Sequence, residues 1–289
     1  DNPDNSPTYN LSASVDDKIM NISHVIRGDD HKINAIKQII LFQYMKWKVP
    51  KYFHIPLIHS PEGKKLSKRD NASTTDDYKK IGILPIALRN YLLRLGWSYK
   101  DKEIFNDEES IKFFNLKNIG KSPSKLDFER IKSLNEYYIK NLDEKELFNY
   151  FIIFMKEYKI KLEEKLLKTI FENLYILKNK AKTLEDIYNN SRFIFQYDQT
   201  LILKSNLINE KNKVYLRDFH SEISKIDNYC EKKLKEISEQ VLKKNNIKFK
   251  ELGEPLRMIL TGSSKAPSIK EIVKILGINE TIARLKLYI

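Results

Sequence analysis

The chain has 289 residues, a formal net charge of +13, 41% hydrophobic and 31% charged residues. That is long enough for two domains with cores of their own. It is too polar for a membrane-spanning protein, since no run of about 18 apolar residues occurs. A single cysteine, Cys230, excludes an internal disulfide and lacks a partner set for zinc, so the composition suits a reducing cytoplasm. The basic excess, carried by lysine far more than arginine and spread over both parts of the chain, points to an anionic partner such as nucleic acid.

Thr8 to Val15 alternate in polarity as a strand would, closed by a turn at Asp16-Asp17, and Ile19 to Ile26 reads as a second strand. From Lys32 the apolar residues Ile33, Ile36, Ile40 and Tyr44 recur at helical spacing. This predicts a helix ending near Trp47, ahead of Pro50. Phe53 to Ile58 is a short apolar strand that delivers the chain to Pro61-Glu62-Gly63-Lys64-Lys65-Leu66-Ser67-Lys68-Arg69-Asp70. A Pro/Gly turn there precedes a cluster of cations and one hydroxyl. Lys65 and Lys68 are three residues apart, so a short turn would aim both ammonium groups at one polyanion while Ser67 and backbone N–H groups add hydrogen bonds. A solvated basic surface turn is the other reading of the same residues. Strand, helix, strand and loop fit the second half of a parallel nucleotide-binding sheet, with its site at the strand C-termini.

Beyond the loop the pattern becomes helical. Pro85 stands where a helix could begin, Leu88, Tyr91, Leu92 and Leu95 mark one face, and Gly96 is a stop. Between Pro123 and Gly253 there is neither glycine nor proline, which removes hairpin turn chemistry and favours helices. Capping-box spacings punctuate the region at Asp143 with Glu146, Thr183 with Asp186 and Ser268 with Glu271. A helix beginning with Pro255 near its first position and stopping at Gly262 is expected, then a short one from Ser268 to Gly277.

Two polar clusters invite a chemical reading. Arg27 ends a predicted strand and is followed by Gly28, Asp29, Asp30 and His31. Its guanidinium could fork onto a carboxylate ligand, or simply pair with Asp29 or Asp30. Lys121-Ser122-Pro123-Ser124-Lys125 is either a turn before a helix capped by Asp127 or a phosphate-contacting patch. His24, His54, His59 and His220 form no metal-ligand spacing, and no metal ligand is assigned.

Lys65-Leu66-Ser67-Lys68-Arg69 resembles the Lys-Met-Ser-Lys-Ser signature of class I aminoacyl-tRNA synthetases. Pro7-Thr8-Tyr9-Asn10, the segment Asn21 to His31, Lys121 to Phe128 and the Pro255-Leu256-Arg257 to Pro267 stretch are similar to the bacterial-type glutamyl-tRNA synthetases at matching spacings. The resemblance covers essentially the whole chain. It implies a mainly α protein with an α/β N-terminal portion: the C-terminal part of a Rossmann-type catalytic domain over 1–75, a stem-contact helical region over 76–145 and an α-helical anticodon-binding domain over 146–289. By resemblance Tyr9 and Arg27 hold glutamate. Asp30, His31, Leu57, Ile58 and Lys68 contact ATP, with His31 standing where other members carry Trp. Lys65 and Lys68 are the catalytic lysines, stabilising charge that develops on the phosphates. Lys121 and Lys125 meet the inner side of the tRNA elbow, and Lys180, Arg257 and Pro267 belong to anticodon recognition. Lys180 falls where some members carry an anticodon-reading Arg.

The function so implied is ATP-dependent attachment of glutamate to tRNA-Glu through glutamyl-adenylate, with Mg²⁺ accompanying ATP, in a cytoplasmic monomer that binds no membrane. The family places a first nucleotide-binding half upstream of Asp1, so the chain is expected to be a C-terminal piece, inactive alone but able to bind tRNA. A non-catalytic tRNA-binding module, a truncated tRNA-modifying paralogue and a non-discriminating enzyme that also charges tRNA-Gln are the alternatives. Members of the paralogue type lack a long helical extension after about residue 150.

Overall fold

The structure, a computed structural model, describes residues 6–63, 74–263 and 266–289. The chain divides into two units, residues 1–79 with 85–134 and residues 80–84 with 135–289.

In the first unit, α1 (Tyr9–Ile19) replaces the strand expected at 8–15. The serines that mimic strand alternation are satisfied one helical turn back. Ser14 Oγ donates to the Asn10 carbonyl at 2.8 Å and Ser12 Oγ to the Thr8 carbonyl at 3.3 Å, bonds a helix offers and a strand does not. Ile19 therefore closes a helix instead of opening a strand, and β1 spans His24–Gly28. β1 pairs in parallel with β2 (Lys51–Ile55), with Val25 opposite Tyr52 and Arg27 opposite His54. The crossover is α2 (Lys32–Tyr44), and this is the strand–helix–strand unit that the sequence predicts.

The helix expected from Lys32 is present as α2. Ile33, Ile36, Ile40 and Tyr44 do share one side, but they are 69%, 61%, 55% and 87% exposed, while Ala35, Gln38 and Phe42 are buried. Spacing finds a stripe of apolar residues without saying what covers it. Further on, Pro56 cannot donate to a ladder, and the strand expected from Phe53 to Ile58 is split. Its second piece, β3 (Ile58–His59), pairs in parallel with β4 (Ser124–Lys125), a contact with no sequence signal. α3 (Thr75–Lys80), α4 (Pro85–Gly96), α5 (Asp107–Phe113) and the start of α6 (Phe128–Asn141) follow. α4 runs from proline to glycine as expected. Asp127 Oδ1 accepts the Arg130 N–H at 3.0 Å in the first turn of α6, and the Asp127 N–H donates to Tyr91 Oη at 2.7 Å.

The second unit is helical throughout. α7 (Glu144–Glu157), α8 (Glu164–Glu172), α9 (Leu174–Leu177), α10 (Leu184–Phe195) and α11 (Gln199–Leu203) lead into α12 (Glu210–Ile223), α13 (Glu231–Asn245), α14 (Phe249–Thr261) and α15 (Ile269–Lys286). Asp143 Oδ1 accepts the Lys145 and Glu146 N–H groups, and Thr183 with Asp186 forms a full capping box, as the sequence predicts. One boundary is wrong. Pro255 lies inside α14, because the Glu251 carboxylate accepts the Lys248 N–H at 2.9 Å and starts the helix two turns early. α15 is broken at Gly277, where φ is 78°, the stop expected after the short helix from Ser268.

The core of this unit joins Leu147, Phe151 and Ile187 in its first half to Leu216, Phe219, Leu256 and Ile272 in its second, all fully enclosed. Buried Arg284 stacks its guanidinium 4.1 Å from the Tyr197 ring centroid and donates to the Leu260 carbonyl at 2.6 Å and to Glu280 at 2.7 Å. Asn135 is wholly buried. Its Oδ1 accepts the Leu84 N–H at 2.8 Å, and its Nδ2 donates to the Gly82 carbonyl at 3.3 Å and the Lys182 carbonyl at 2.7 Å. Gly82 has φ of 78°, and a Cβ there would lie 2.7 Å from the Leu184 nitrogen. Across the described residues, Asn21, Lys46, Lys100, Lys159, Lys180 and Asn246 also hold a left-handed backbone, several of them at the turns that follow helices.

Candidate functional site

Two sites emerge, one in each unit. In the first, the parallel register puts Arg27, Tyr52 and His54 on one face of the β1–β2 pair, because side chains two apart share a face. The Arg27 guanidinium lies 5.3 Å from the Tyr52 ring centroid. It donates to Tyr9 Oη at 3.4 Å and to the His31 carbonyl at 3.3 Å, both long contacts. Tyr9 and His31 rings lie 5.6 Å apart. Arg27 forms no ion pair with Asp29 or Asp30 among the described residues, and Asp29 pairs with Lys32 at 3.4 Å instead.

Buried polar atoms without a hydrogen-bond partner among the described residues include Arg27 Nε, Asn10 Oδ1, Tyr52 Oη and His54 Nε2. Burial, and then the Arg27 charge, push the His54 imidazole below its usual range, so it is neutral at pH 7. Burial raises the Asp17 carboxyl, with Arg27 pulling the other way. Burial also raises the Tyr52 phenol. A loosely held guanidinium has donors left with which it can fork onto a small carboxylate. Tyr52 and His54 were missed in the sequence, although their alternation on a strand beside Arg27 was there to be read.

Gly28 ends β1 where a Cβ would lie 2.7 Å from Asp30 Oδ1 and 3.4 Å from the Leu57 side chain, so this glycine lets the Asp30 turn close against the strand end. Leu57, Ile58 and Gly28 line a mostly apolar cavity of about 510 Å³ together with Leu92 and Trp97. Lys65 and Lys68 lie outside the described residues. Lys121 and Lys125 are exposed, and the Lys125 ammonium is 3.8 Å from where a Cβ on Gly63 would stand. No group of three or more His, Cys, Asp or Glu residues that could hold a metal occurs among the described residues, nor is any described helix long and apolar enough to cross a membrane.

The second unit brings Lys180, Arg257 and Pro267, distant in sequence, to the wall of one cavity of about 610 Å³. Arg257 Nε donates to the Pro267 carbonyl at 3.3 Å, which joins α14 to the turn before α15. Asp186 and Glu271 line the same cavity. Both are legible in the sequence as helix caps but not as cavity residues.

Residues 1–133 match the family described as tRNA synthetases class I (E and Q), catalytic domain, and residues 134–289 match the anticodon binding domain. The protein is thus built from the catalytic and anticodon-binding domains of a class I tRNA synthetase. It belongs to the glutamate–tRNA ligase family. It is 52% identical over 282 residues to the glutamate–tRNA ligase of Pelagibacter ubique, covering 97% of this chain and 60% of that protein. With the Bradyrhizobium diazoefficiens glutamate–tRNA ligase it shares 38% over 293 residues, covering 98% and 62%. A crystal structure of a glutamate tRNA ligase from Elizabethkingia meningosepticum, in complex with its amino acid, superposes with a TM-score of 0.77 at 27% identity, over 99% of this chain and 60% of that one. The chain therefore spans about 60% of the length of the curated relatives it matches.

Proposed function

We propose that the chain carries the glutamate-holding, tRNA-contacting and anticodon-reading parts of a glutamate–tRNA ligase. In the whole reaction the glutamate carboxylate attacks the α-phosphate of ATP, releasing pyrophosphate and forming glutamyl-adenylate. The 3′-terminal ribose hydroxyl of tRNA-Glu then attacks the activated carbonyl and releases AMP. Arg27 and Tyr9 hold glutamate, with Tyr52 supporting the guanidinium from below. Asp30, His31, Leu57 and Ile58 meet the nucleotide, while Lys65 and Lys68 stabilise charge on its phosphates. Mg²⁺ enters with ATP, carried by its phosphates. Lys121 and Lys125 contact the tRNA backbone. The protein works as a cytoplasmic monomer.

The observation that carries this reading is the convergence of Lys180, Arg257 and Pro267 on one cavity, in a unit that matches an anticodon-binding domain. A match over the whole of 134–289 also speaks against a truncated tRNA-modifying enzyme. Two assays test it. A gel shift with tRNA-Glu should show weak binding by the 289-residue chain that fades as salt rises, because phosphate contacts release counterions. ATP–pyrophosphate exchange by the same chain should stay at background, since positioning is worth about 7–11 kcal/mol of barrier and a cationic loop alone does not replace it. Absence of tRNA binding, or measurable exchange, would overturn the assignment. In a full-length enzyme, Lys68→Ala should lower the activation rate more than glutamate binding.

A further inference from the structure

Resting on the anticodon reading above, we propose that Asp186 and Glu271 are specificity-determining residues, their carboxylates accepting hydrogen bonds from the exocyclic amine of an unpaired cytosine in the cavity shared with Lys180 and Arg257. The charges of this cavity are the starting point. In a chain of net charge +13, a site for phosphate would collect cations alone, yet among the described residues this wall carries two cations and two carboxylates. The two carboxylates among these donors and acceptors repel a phosphate oxygen from their part of the wall. Together the donors and acceptors match instead the edge of a neutral base, which presents an amine and a carbonyl on either side of a ring nitrogen.

Each carboxylate is also fixed before any ligand arrives. One oxygen of Asp186 accepts the Lys182 N–H at 2.9 Å and the Thr183 N–H at 3.0 Å. One oxygen of Glu271 accepts the Ser268 N–H at 2.8 Å and the Ser268 hydroxyl at 2.6 Å. The other oxygen of each makes no hydrogen bond among the described residues. A carboxylate held through one oxygen and open at the other is a preorganised acceptor. Lys180 and Arg257 supply the donors for the base carbonyl. The volume of about 610 Å³ is in the usual range for a ligand site.

Cytosine and uracil differ at this edge at position 4, amine against carbonyl, and at N3, acceptor against N–H donor; only the amine offers a hydrogen to a carboxylate from position 4, so the pair makes the test. Binding of the chain to a fluorescein-labelled anticodon stem-loop with anticodon UUC is compared by anisotropy with the UUU stem-loop. Wild type should favour UUC by at least about fivefold. Glu271→Gln and Asp186→Asn keep one oxygen for the helix cap but turn an NH₂ group to the cavity. Each should lower that ratio, and the double variant should favour UUU, with far-UV circular dichroism unchanged. Equal affinity of wild type for the two RNAs, or an unaltered ratio in all three variants, overturns the role of the carboxylates while RNA binding stands. Binding of neither RNA by wild type overturns it together with the anticodon reading.

Discussion

Replacing Asn135 by alanine tests what ties the short segment 80–84 to the helical unit. The variant deletes three hydrogen bonds at a wholly buried position. The Gly82 carbonyl keeps a partner, because it also accepts the Leu184 N–H at 3.0 Å. The buried Leu84 N–H is left with no acceptor in its place, and the Lys182 carbonyl loses its shortest such contact. The deprived Leu84 N–H costs about 1–3 kcal/mol and the other two lost bonds about 0.5–1.5 kcal/mol each, which makes about 2–6 kcal/mol in all. Total stability of a domain is about 5–15 kcal/mol, so the loss is a large fraction of it. At about 2–4 °C per kcal/mol for a unit of this size, the melting temperature followed by far-UV circular dichroism should fall by roughly 5–20 °C. Native-state hydrogen exchange should show the Leu84 amide losing protection first. Asn135→Asp refines the test. Its carboxylate still accepts from Leu84 but faces two carbonyls, so its folded-state pKa is raised above about 3.9. The folded state then binds more protons than the unfolded one, and the penalty seen at pH 7 should shrink as pH falls through the folded value. A loss under about 1 kcal/mol for the alanine variant, or a pH-independent penalty for the aspartate, would refute the reasoning.

Gly82→Ala adds a Cβ 2.7 Å from one backbone nitrogen and 2.8 Å from the next, at φ of 78°; it should destabilise by at least about 2 kcal/mol, read as a lower urea midpoint. The His54 imidazole should titrate with a midpoint below 6.5 in an NMR experiment. Because its folded value is lowered, the unfolded chain binds more protons below 6.5, so acidification through that window should cost stability. In the Arg27→Gln variant the midpoint should rise part of the way back toward 6.5, because burial remains the larger cause; an unchanged midpoint would show that Arg27 contributes nothing to the shift. Arg284→Ala leaves Glu280 and the Leu260 carbonyl without this donor and removes the stack on Tyr197. Glu280 is half exposed and regains water, so the expected loss, about 1–3 kcal/mol, comes from the Leu260 carbonyl left without this donor, whereas an effect under about 1 kcal/mol would mean that Arg284 contributes little at its buried position.

How far residues alone carry the reader depends on the kind of signal. The long interval without glycine or proline is a strong one, since it removes hairpin turns over a span that is indeed helical from Phe128 to Leu252. Alternation at Thr8 to Val15 is weak, because serine hydroxyls satisfied by their own helix imitate the polar positions of a strand. Periodicity places Ile33, Ile36, Ile40 and Tyr44 on one face but is silent about exposure. β4 could not have been read, since two residues joined by register to β3 leave no pattern. At the sites, motifs nominate Arg27, Lys180, Arg257 and Pro267. Only coordinates add Tyr52 beneath the guanidinium and show Lys180, Arg257 and Pro267 sharing a wall. Asp186 and Glu271 illustrate the limit best. Local spacing explains each completely as a cap, so nothing in the sequence hints that two caps on separate helices face a common space.

The left-handed lysines bear on how this molecule could be made hardier. A side chain in that conformation costs about 1 kcal/mol relative to the ordinary helical region, and glycine, which escapes the cost, makes up only 8 of 289 residues. Glycine codons begin with two guanines and lysine codons with two adenines, so a genome poor in guanine would drift toward lysine at helix ends even where the backbone suffers. Lys46, Lys100 and Lys159 lie outside both sites, and exchanging them for glycine would recover roughly 2–3 kcal/mol in all. Lys180 is the exception, since it lines the cavity shared with Arg257 and Pro267, and under the proposed anticodon reading nucleotide economy and chemistry favour the same residue there.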